Sequence, residues 1–220
     1  MSKLEEARQL FNSNKFNEAI ELFTNFLAEQ PNHADALFFR AICYRKIEKY
    51  ELSVADFTAI IKRLSDEATI FSERAVSYYH LKNYKAAVDD LNKAVELEPN
   101  NPYRYSSRAY IRAYIDIDGA MADYERAIEL DPQDDISYNN LGLLQENQGS
   151  MRKAQENFER NKQILANTPK TTEPLPQVKK QEIEEENLTF WNVIKQLMTS
   201  KKTQKEFGSF LKNGFKKKQD

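Results

Sequence analysis

The sequence predicts an all-α fold, a solenoid of antiparallel helix pairs followed by a C-terminal helical tail. Three observations predict it. One pattern recurs through residues 1–166 at a period of 33 to 34. The composition, with only five Gly, 40% hydrophobic and 30% charged residues, is that of a helix-rich chain. The pattern then stops, and the charge changes sign: residues 1–166 carry 21 Lys+Arg against 27 Asp+Glu, and residues 167–220 carry 11 against 7.

The recurrence is visible by eye. "FNEAIELFTNFLAEQPN" (16–32), "KAAVDDLNKAVELEPN" (85–100) and "DGAMADYERAIELDPQ" (118–133) are versions of one segment. Small residues give the register. Ala7, Ala41, Ala75, Ala109 and Gly142 form one series, and Ala19, Ser53, Ala87, Ala120 and Ala154 a second. Phe23, Phe57, Leu91, Tyr124 and Phe158 keep the same steps. Pro31, Ser65, Pro99, Pro132 and Ala166 close the units, a position where Pro ends a helix because it lacks an N–H and disfavours helix before it.

Each unit holds two runs of helical periodicity. In "IFSERAVSYYHL", Phe71, Ala75 and Tyr78 share one face, and in "YKAAVDDLNKAVEL" so do Tyr84, Ala87, Val88, Leu91, Ala94 and Val95. The short link Lys82-Asn83 permits only an antiparallel hairpin. The small residues mark the helix crossing, where a Leu would overpack by roughly 1–3 kcal/mol. One hairpin cannot bury its apolar face alone, so the five stack over 1–33, 34–67, 68–101, 102–134 and 135–166.

The ends and irregularities have readings of their own. Ser2 and Glu5 form a capping box that starts the first helix. Ser53 and Ser65 replace Ala and Pro with residues small enough to keep the fold. Repeat 4 lacks one residue, which places a tightened turn at "YIDIDG". The polar "MRKAQENFERNKQIL", with Asn161 at an apolar position, suits a terminal repeat facing water. Arg40, Arg74 and Arg108 each precede the small residue of a first helix, and Asp56, Asp90 and Asp123 each precede the aromatic position of a second; repeats 1 and 5 lack both. This predicts Arg–carboxylate pairs in repeats 2 to 4, worth about 0–1 kcal/mol each if they lie on the surface.

The period of 34, the small-x-x-aromatic pattern of the first helix, the Ala-x-x-x-Phe of the second and the closing Pro resemble the tetratricopeptide repeat (TPR) family, over five repeats. The resemblance implies a right-handed superhelix whose concave face is lined by first helices. It also implies a non-enzymatic adaptor or scaffold holding a peptide or helix of a protein partner. Carried over, the family's groove positions are Arg8, Phe11, Asn12, Phe38, Ile42, Arg45, Lys46, Ser72, Val76, Tyr79, His80, Ser106, Tyr110, Ala113, Tyr114, Asn139, Leu143, Glu146 and Asn147. The second position of each repeat adds Asp35, Thr69, Tyr103 and Ile136. Tyr110 and Tyr114, one turn apart, are expected to be the best groove candidates of this aromatic surface. The family's carboxylate clamp, which holds acidic chaperone C-termini, requires Lys/Asn, Asn and Lys/Arg in successive first helices. The corresponding pairs here, such as Phe38/Ile42 and Tyr103/Ser107, do not supply it, so the expected partner has apolar or mixed side chains.

Other classes of function have little support. His33 and His80 pair with no nucleophile or metal-ligand cluster, Cys43 reads as a small packing residue, and no glycine-rich phosphate loop occurs, so neither an enzyme nor a cofactor is expected. The acidic repeats argue against nucleic acid. The N-terminus is too polar for a secretory signal, no apolar run reaches membrane-spanning length, and the lone Cys43 excludes an intrachain disulfide, which together predict a cytoplasmic protein.

The tail is read as a Pro-containing linker (167–181) and a basic amphipathic segment (182–220). Leu188, Trp191, Ile194, Leu197 and Met198 make one apolar helical stripe, and Phe207, Phe210, Leu211 and Phe215 a second. Lysines surround both. Three fates follow: disorder, adsorption to an anionic membrane surface, or docking of 187–199 on the repeats through Trp191, Ile194 and Leu197. The membrane reading gives an alternative function, recruitment or assembly at a membrane surface. Self-association is compatible with an open apolar groove.

Overall fold

The computed structural model describes residues 2–167, all of whose regular structure is α-helical. Trp191, Ile194, Leu197, Phe207, Phe210 and Leu211 of the tail lie outside the described residues. Ten helices follow one another as α1 (Lys3–Asn12), α2 (Phe16–Glu29), α3 (Ala34–Lys46), α4 (Tyr50–Ile61), α5 (Ala68–His80), α6 (Tyr84–Leu97), α7 (Pro102–Arg112), α8 (Ile117–Leu130), α9 (Asp135–Asn147) and α10 (Met151–Asn167). They belong to two compact units, Met1–Leu130 with α1–α8, and a second from Asp131 with α9 and α10.

Local chemistry fixes where helices begin. The capping box forms: the Glu5 N–H donates to Ser2 Oγ (3.3 Å) and the Ser2 N–H to Glu5 Oε2 (2.7 Å). Asn83, Asn101 and Asp134 cap α6, α7 and α9 by accepting backbone N–H bonds, and Pro102 follows Asn101 at the first helical position, where its missing N–H costs nothing.

Each hairpin is closed by the small residues. Ala7, Ala19, Ala41, Ser53, Ala75, Ala87, Ala109 and Ala120 are all fully buried in the first unit. In the second, a Cβ on Gly142 would sit 2.5 Å from the Phe158 ring, so even Ala is too large there. Ser53 exchanges a hydrogen bond with Ser77 Oγ (2.9 Å) on α5, which satisfies the hydroxyl that replaces Ala. In the first unit α3 packs on α2 and α4, α5 on α4 and α6, and α7 on α6 and α8. The first helices also reach one another, α1 with α3 and α5 with α7, which makes theirs the inner side of this stack.

The shortened turn of repeat 4 has a specific cause. Asn14, Glu48, Lys82 and Gly149 adopt positive φ at the turns of the other four hairpins. Repeat 4 lacks this left-handed residue. Asp116 takes over by accepting the Gly119 N–H (3.0 Å) while Arg112 donates to its other oxygen (2.9 Å).

The three Arg–Asp pairs form, and they are not surface pairs. Each guanidinium donates twice to its carboxylate: Arg40 to Asp56 at 2.8 and 2.7 Å, Arg74 to Asp90 at 2.8 and 2.6 Å, Arg108 to Asp123 at 2.8 and 2.5 Å. The three carboxylates are buried. The third guanidinium nitrogen reaches back to the preceding repeat, to Thr24 (3.2 Å), Thr58 (2.9 Å) and Asn92 (3.0 Å). Each arginine therefore joins three helices. The hydrogen bonds to the carboxylates hold Arg40 and Arg74 charged, above their usual range.

Removing one member leaves a buried charge unpaired, so the surface value of about 0–1 kcal/mol does not apply here. Arg74→Met is expected to destabilise the protein by about 3 kcal/mol in urea unfolding, and Arg74→Met/Asp90→Leu by clearly less than the single change. A single change costing under about 0.5 kcal/mol, the scale of an ordinary surface substitution, would refute this role.

Candidate binding face

The aromatic positions of α5, α6 and α7 converge on the inner side of the first unit. The register explains why. Tyr79 stands four residues after the small residue of α5, and Tyr110 and Tyr114 stand one and five after that of α7. On adjacent stacked helices these offsets bring the rings together. The Tyr79 hydroxyl lies 3.3 Å from that of Tyr110 and 3.1 Å from that of Tyr114. Tyr84, at the start of α6, stacks on Tyr114 with ring centroids 4.6 Å apart and planes 13° from parallel. His80 stacks on Tyr50 of α4 at 4.7 Å and meets Tyr79 edge-on at 5.5 Å. The result is a continuous ridge of five phenols and an imidazole.

The two expected anchors differ. Tyr110 has no exposed surface, and its ring lies against those of Tyr79 (centroids 5.7 Å apart) and Tyr114 (6.3 Å). Tyr114, one turn further and beyond the end of α7, keeps 38% of its surface exposed. Ile115 (52%) and Ile117 (37%), which follow it in sequence, are also exposed.

The other singled-out residues fall into groups. Phe38 and Ile42 are buried, Phe38 edge-on to Phe39 and Phe57, and Phe11 packs edge-on to Phe39. Ser106 is buried and donates to the Tyr103 carbonyl (3.3 Å). The cations are engaged: Arg8 with Asp35, and Arg45 with Glu73 (2.6 Å) and its carbonyl (3.1 Å). Lys46 and Asn12 are exposed, and Val76 is half-buried. Ser72 accepts from Arg104 (3.0 Å). In the second unit, Asn139 and Leu143 are half-buried on α9.

Three residues outside the carried-over groove positions also shape this face. Arg104 is buried and bridges Thr69 (3.1 Å) and Ser72 on α5 to Glu98 (2.9 Å), tying α7 to its neighbour beneath the face. Tyr50 and Tyr84 open second helices, and the series Phe16, Tyr50, Tyr84 at a spacing of 34 was the signal that marks them.

The electrostatics favour neutral groups. Burial pushes the Tyr79 and Tyr110 phenols up to about 12, and Tyr103 and Tyr114 higher still. Burial, and next Arg45, push His80 below its usual range, which keeps the imidazole neutral. Cys43 is buried and its thiol is pushed up to about 12, so it is a packing group. Among the described residues no group of three or more His, Cys, Asp and Glu is placed to hold a metal, and no helix is long and apolar enough to cross a membrane.

Fold and face together define an all-α repeat protein built from helical hairpins. A family model described as "Tetratricopeptide repeat" matches residues 4–68 and another 68–101, and one described as "TPR repeat" matches 116–149. The chain belongs to the tetratricopeptide repeat family. It is 30% identical over 157 residues to human tetratricopeptide repeat protein 13, covering 68% of this chain and 18% of that protein. It is 24% identical over 177 residues to human tetratricopeptide repeat protein 16, covering 73% and 20%. It thus spans about a fifth of each relative. Among solved structures, MamA from Desulfovibrio magneticus RS-1 aligns with a TM-score of 0.68 at 16% identity, over 77% of this chain and 98% of that one. YrrB, described as a TPR protein with an unusual peptide-binding site, aligns at 0.63 and 20% identity, over 76% and 86%. At these identities the likeness is one of fold.

The raised phenols carry a pH consequence. An unfolded Tyr ionises near pH 10. The folded state keeps protons that the unfolded state releases, so this contribution is complete below about pH 10 and is lost as pH rises through about 12. Urea midpoints should fall over that interval, and phenolate absorbance of the native protein should rise in two stages. A single stage at the ordinary position would contradict the buried cluster.

Proposed function

We propose that the protein is a non-enzymatic interaction module whose first-helix face holds a peptide or helix of a protein partner. The observation that carries this is the tyrosine ridge, with Tyr114, Ile115 and Ile117 exposed beside it. Tyrosines offer large, stiff, amphipathic contact area, the residue type over-represented among binding hot spots. Family membership supports the reading, as does the described peptide-binding site of YrrB on the same fold. Arg8 and Arg45 are already committed to Asp35 and Glu73, which disfavours an acidic chaperone C-terminus and favours an apolar or mixed ligand. We place this activity in the cytoplasm, where the free Cys43 thiol is at home.

A second reading, recruitment to a membrane surface, is favoured by one feature: residues 187–219 hold eight Lys and a single Glu around two apolar stripes. Sedimentation with anionic vesicles tests it separately.

For the main reading, tagged full-length protein is used to capture partners from native lysate, beside Tyr79→Ala/Tyr114→Ala. The double variant should lose its principal partner at least tenfold, a loss of about 1.4 kcal/mol or more. Equal capture by both proteins would place the binding site elsewhere.

A further inference from the structure

We infer that the protein segment held on the tyrosine face is an amphipathic helix that carries carboxylates beside its apolar anchors, and that Lys82 and Lys85 receive them. The inference rests on the proposal that this face holds a partner segment, and it names the chemistry of that segment.

Three observations carry it. The first is a contrast between two kinds of cation. Arg8, Arg45 and Arg104 on the first helices are each held by a carboxylate, of Asp35, Glu73 and Glu98. Among the described residues, the ion pairs of lysine are those of Lys3, Lys15, Lys93 and Lys162. Lys82 and Lys85 are exposed and enter none, and Asp89, the next acidic residue of α6, pairs with neither.

The second is where the unbalanced charge falls. Lys82 and Lys85 flank Tyr84, which stacks on Tyr114 and lies against Tyr79 (centroids 6.0 Å apart), so they stand at the middle of the ridge. The turns on either side are balanced or negative. Lys46 and Lys49 are offset by Glu48 and Glu51, and at the turn of repeat 4 Arg112 is paired with Asp116 and followed by the exposed Asp118. Residues 1–130 as a whole carry 17 basic and 21 acidic residues. A local positive site is thus set beside stacked rings on a net negative unit, and it complements a carboxylate.

The third is the backbone at Lys82, whose φ is 58°. Gly and Asn adopt this left-handed conformation with least strain, and Asn14 and Gly149 hold the matching place in repeats 1 and 5. Repeat 3 keeps a lysine where the fold alone favours another residue, as expected where the ammonium serves a ligand. Repeat 2 has Glu48 there, at φ 62°, so the charge presented changes sign along the ridge and the ligand's carboxylates belong at the repeat 3 end.

A helix meets both demands at ordinary spacing, because residues three and four apart share a side. Rings stacked on one another hold their places before the ligand arrives, which suits a ligand of fixed geometry over a fluid lipid surface. Charges at the edge of such a site act mainly on association rate and salt dependence.

The test titrates the full chain with two labelled model helices, each with Leu on one face and either Glu or Lys on the other, followed by fluorescence anisotropy. The Leu/Glu helix should bind at least tenfold more tightly than the Leu/Lys helix, and its affinity should fall as salt is added. Lys82→Asn/Lys85→Gln should weaken Leu/Glu binding several-fold, mainly by slower association, and flatten the salt dependence. Its urea midpoint should not fall, since Asn suits the backbone at position 82. Lys62→Gln, exposed and unpaired at the end of α4, should bind as the wild type does. Failure of both helices to bind would overturn the inference. So would equal loss in Lys62→Gln, which indicates a general charge effect, or sedimentation with phosphatidylserine vesicles that needs Lys82 and Lys85 while both helices are ignored, which indicates a membrane. Equal binding of the two helices, lost in Tyr79→Ala/Tyr114→Ala, would overturn this inference and leave the face reading standing. Leu/Glu binding that needs the two lysines but ignores Tyr79→Ala/Tyr114→Ala would sink the face reading instead.

Discussion

The structure depends on how closely two helices can approach. Each helix of a hairpin carries a small residue at the matching place, Ala75 and Ala87 in repeat 3, Gly142 and Ala154 in repeat 5, and these positions are buried. Close approach brings the larger residues on either side, such as Phe57, Leu91 and Tyr124, into full burial. At roughly 25 cal/mol per Å2 of apolar surface, that burial is the main driving force for each hairpin. Widening one crossing would separate these side chains and tilt every helix stacked beyond it, since each hairpin is positioned only by its neighbours.

The arginines add what packing does not. Apolar contacts tolerate sliding, whereas a guanidinium that donates twice to Asp90 and once to Thr58 has one geometry. Arg40, Arg74 and Arg108 repeat this contact through the first unit and so set the register of one hairpin on the next. Arg104 does similar work nearer the face, linking Thr69, Ser72 and Glu98. Buried charge of this kind contributes specificity more than net stability. The tyrosine ridge benefits directly, because Tyr79 and Tyr114 come from different repeats and meet only if the register holds.

Much of this was legible in the sequence because period and residue size are properties a sequence displays. The series of small residues announced the crossings, and the joint presence of Arg and Asp in repeats 2 to 4 announced the pairs. Burial was less legible. The pairs were weighed as surface contacts because a sequence does not show that Asp90 is buried. Tyr110 and Tyr114 looked equivalent, one turn apart, yet the first is fully buried and the second keeps 38% of its surface exposed. Arg104 was harder to find because two of its three partners, Thr69 and Ser72, are more than thirty residues away and carry no charge. The missing residue of repeat 4 was visible, but not that it is the left-handed turn residue or that Asp116 replaces its function.

Small residues thus permit the crossing, the crossing sets the register, and the register assembles the face. The most direct test is to enlarge one crossing and read the face. In full-length Ala75→Leu, with helicity followed by circular dichroism, the late stage of the alkaline tyrosine titration reports whether Tyr79 still lies against Tyr110 and Tyr114. The account predicts retained helices with a late-ionising fraction clearly smaller than in the wild type. A variant that keeps both its helicity and its full late-ionising fraction would contradict it.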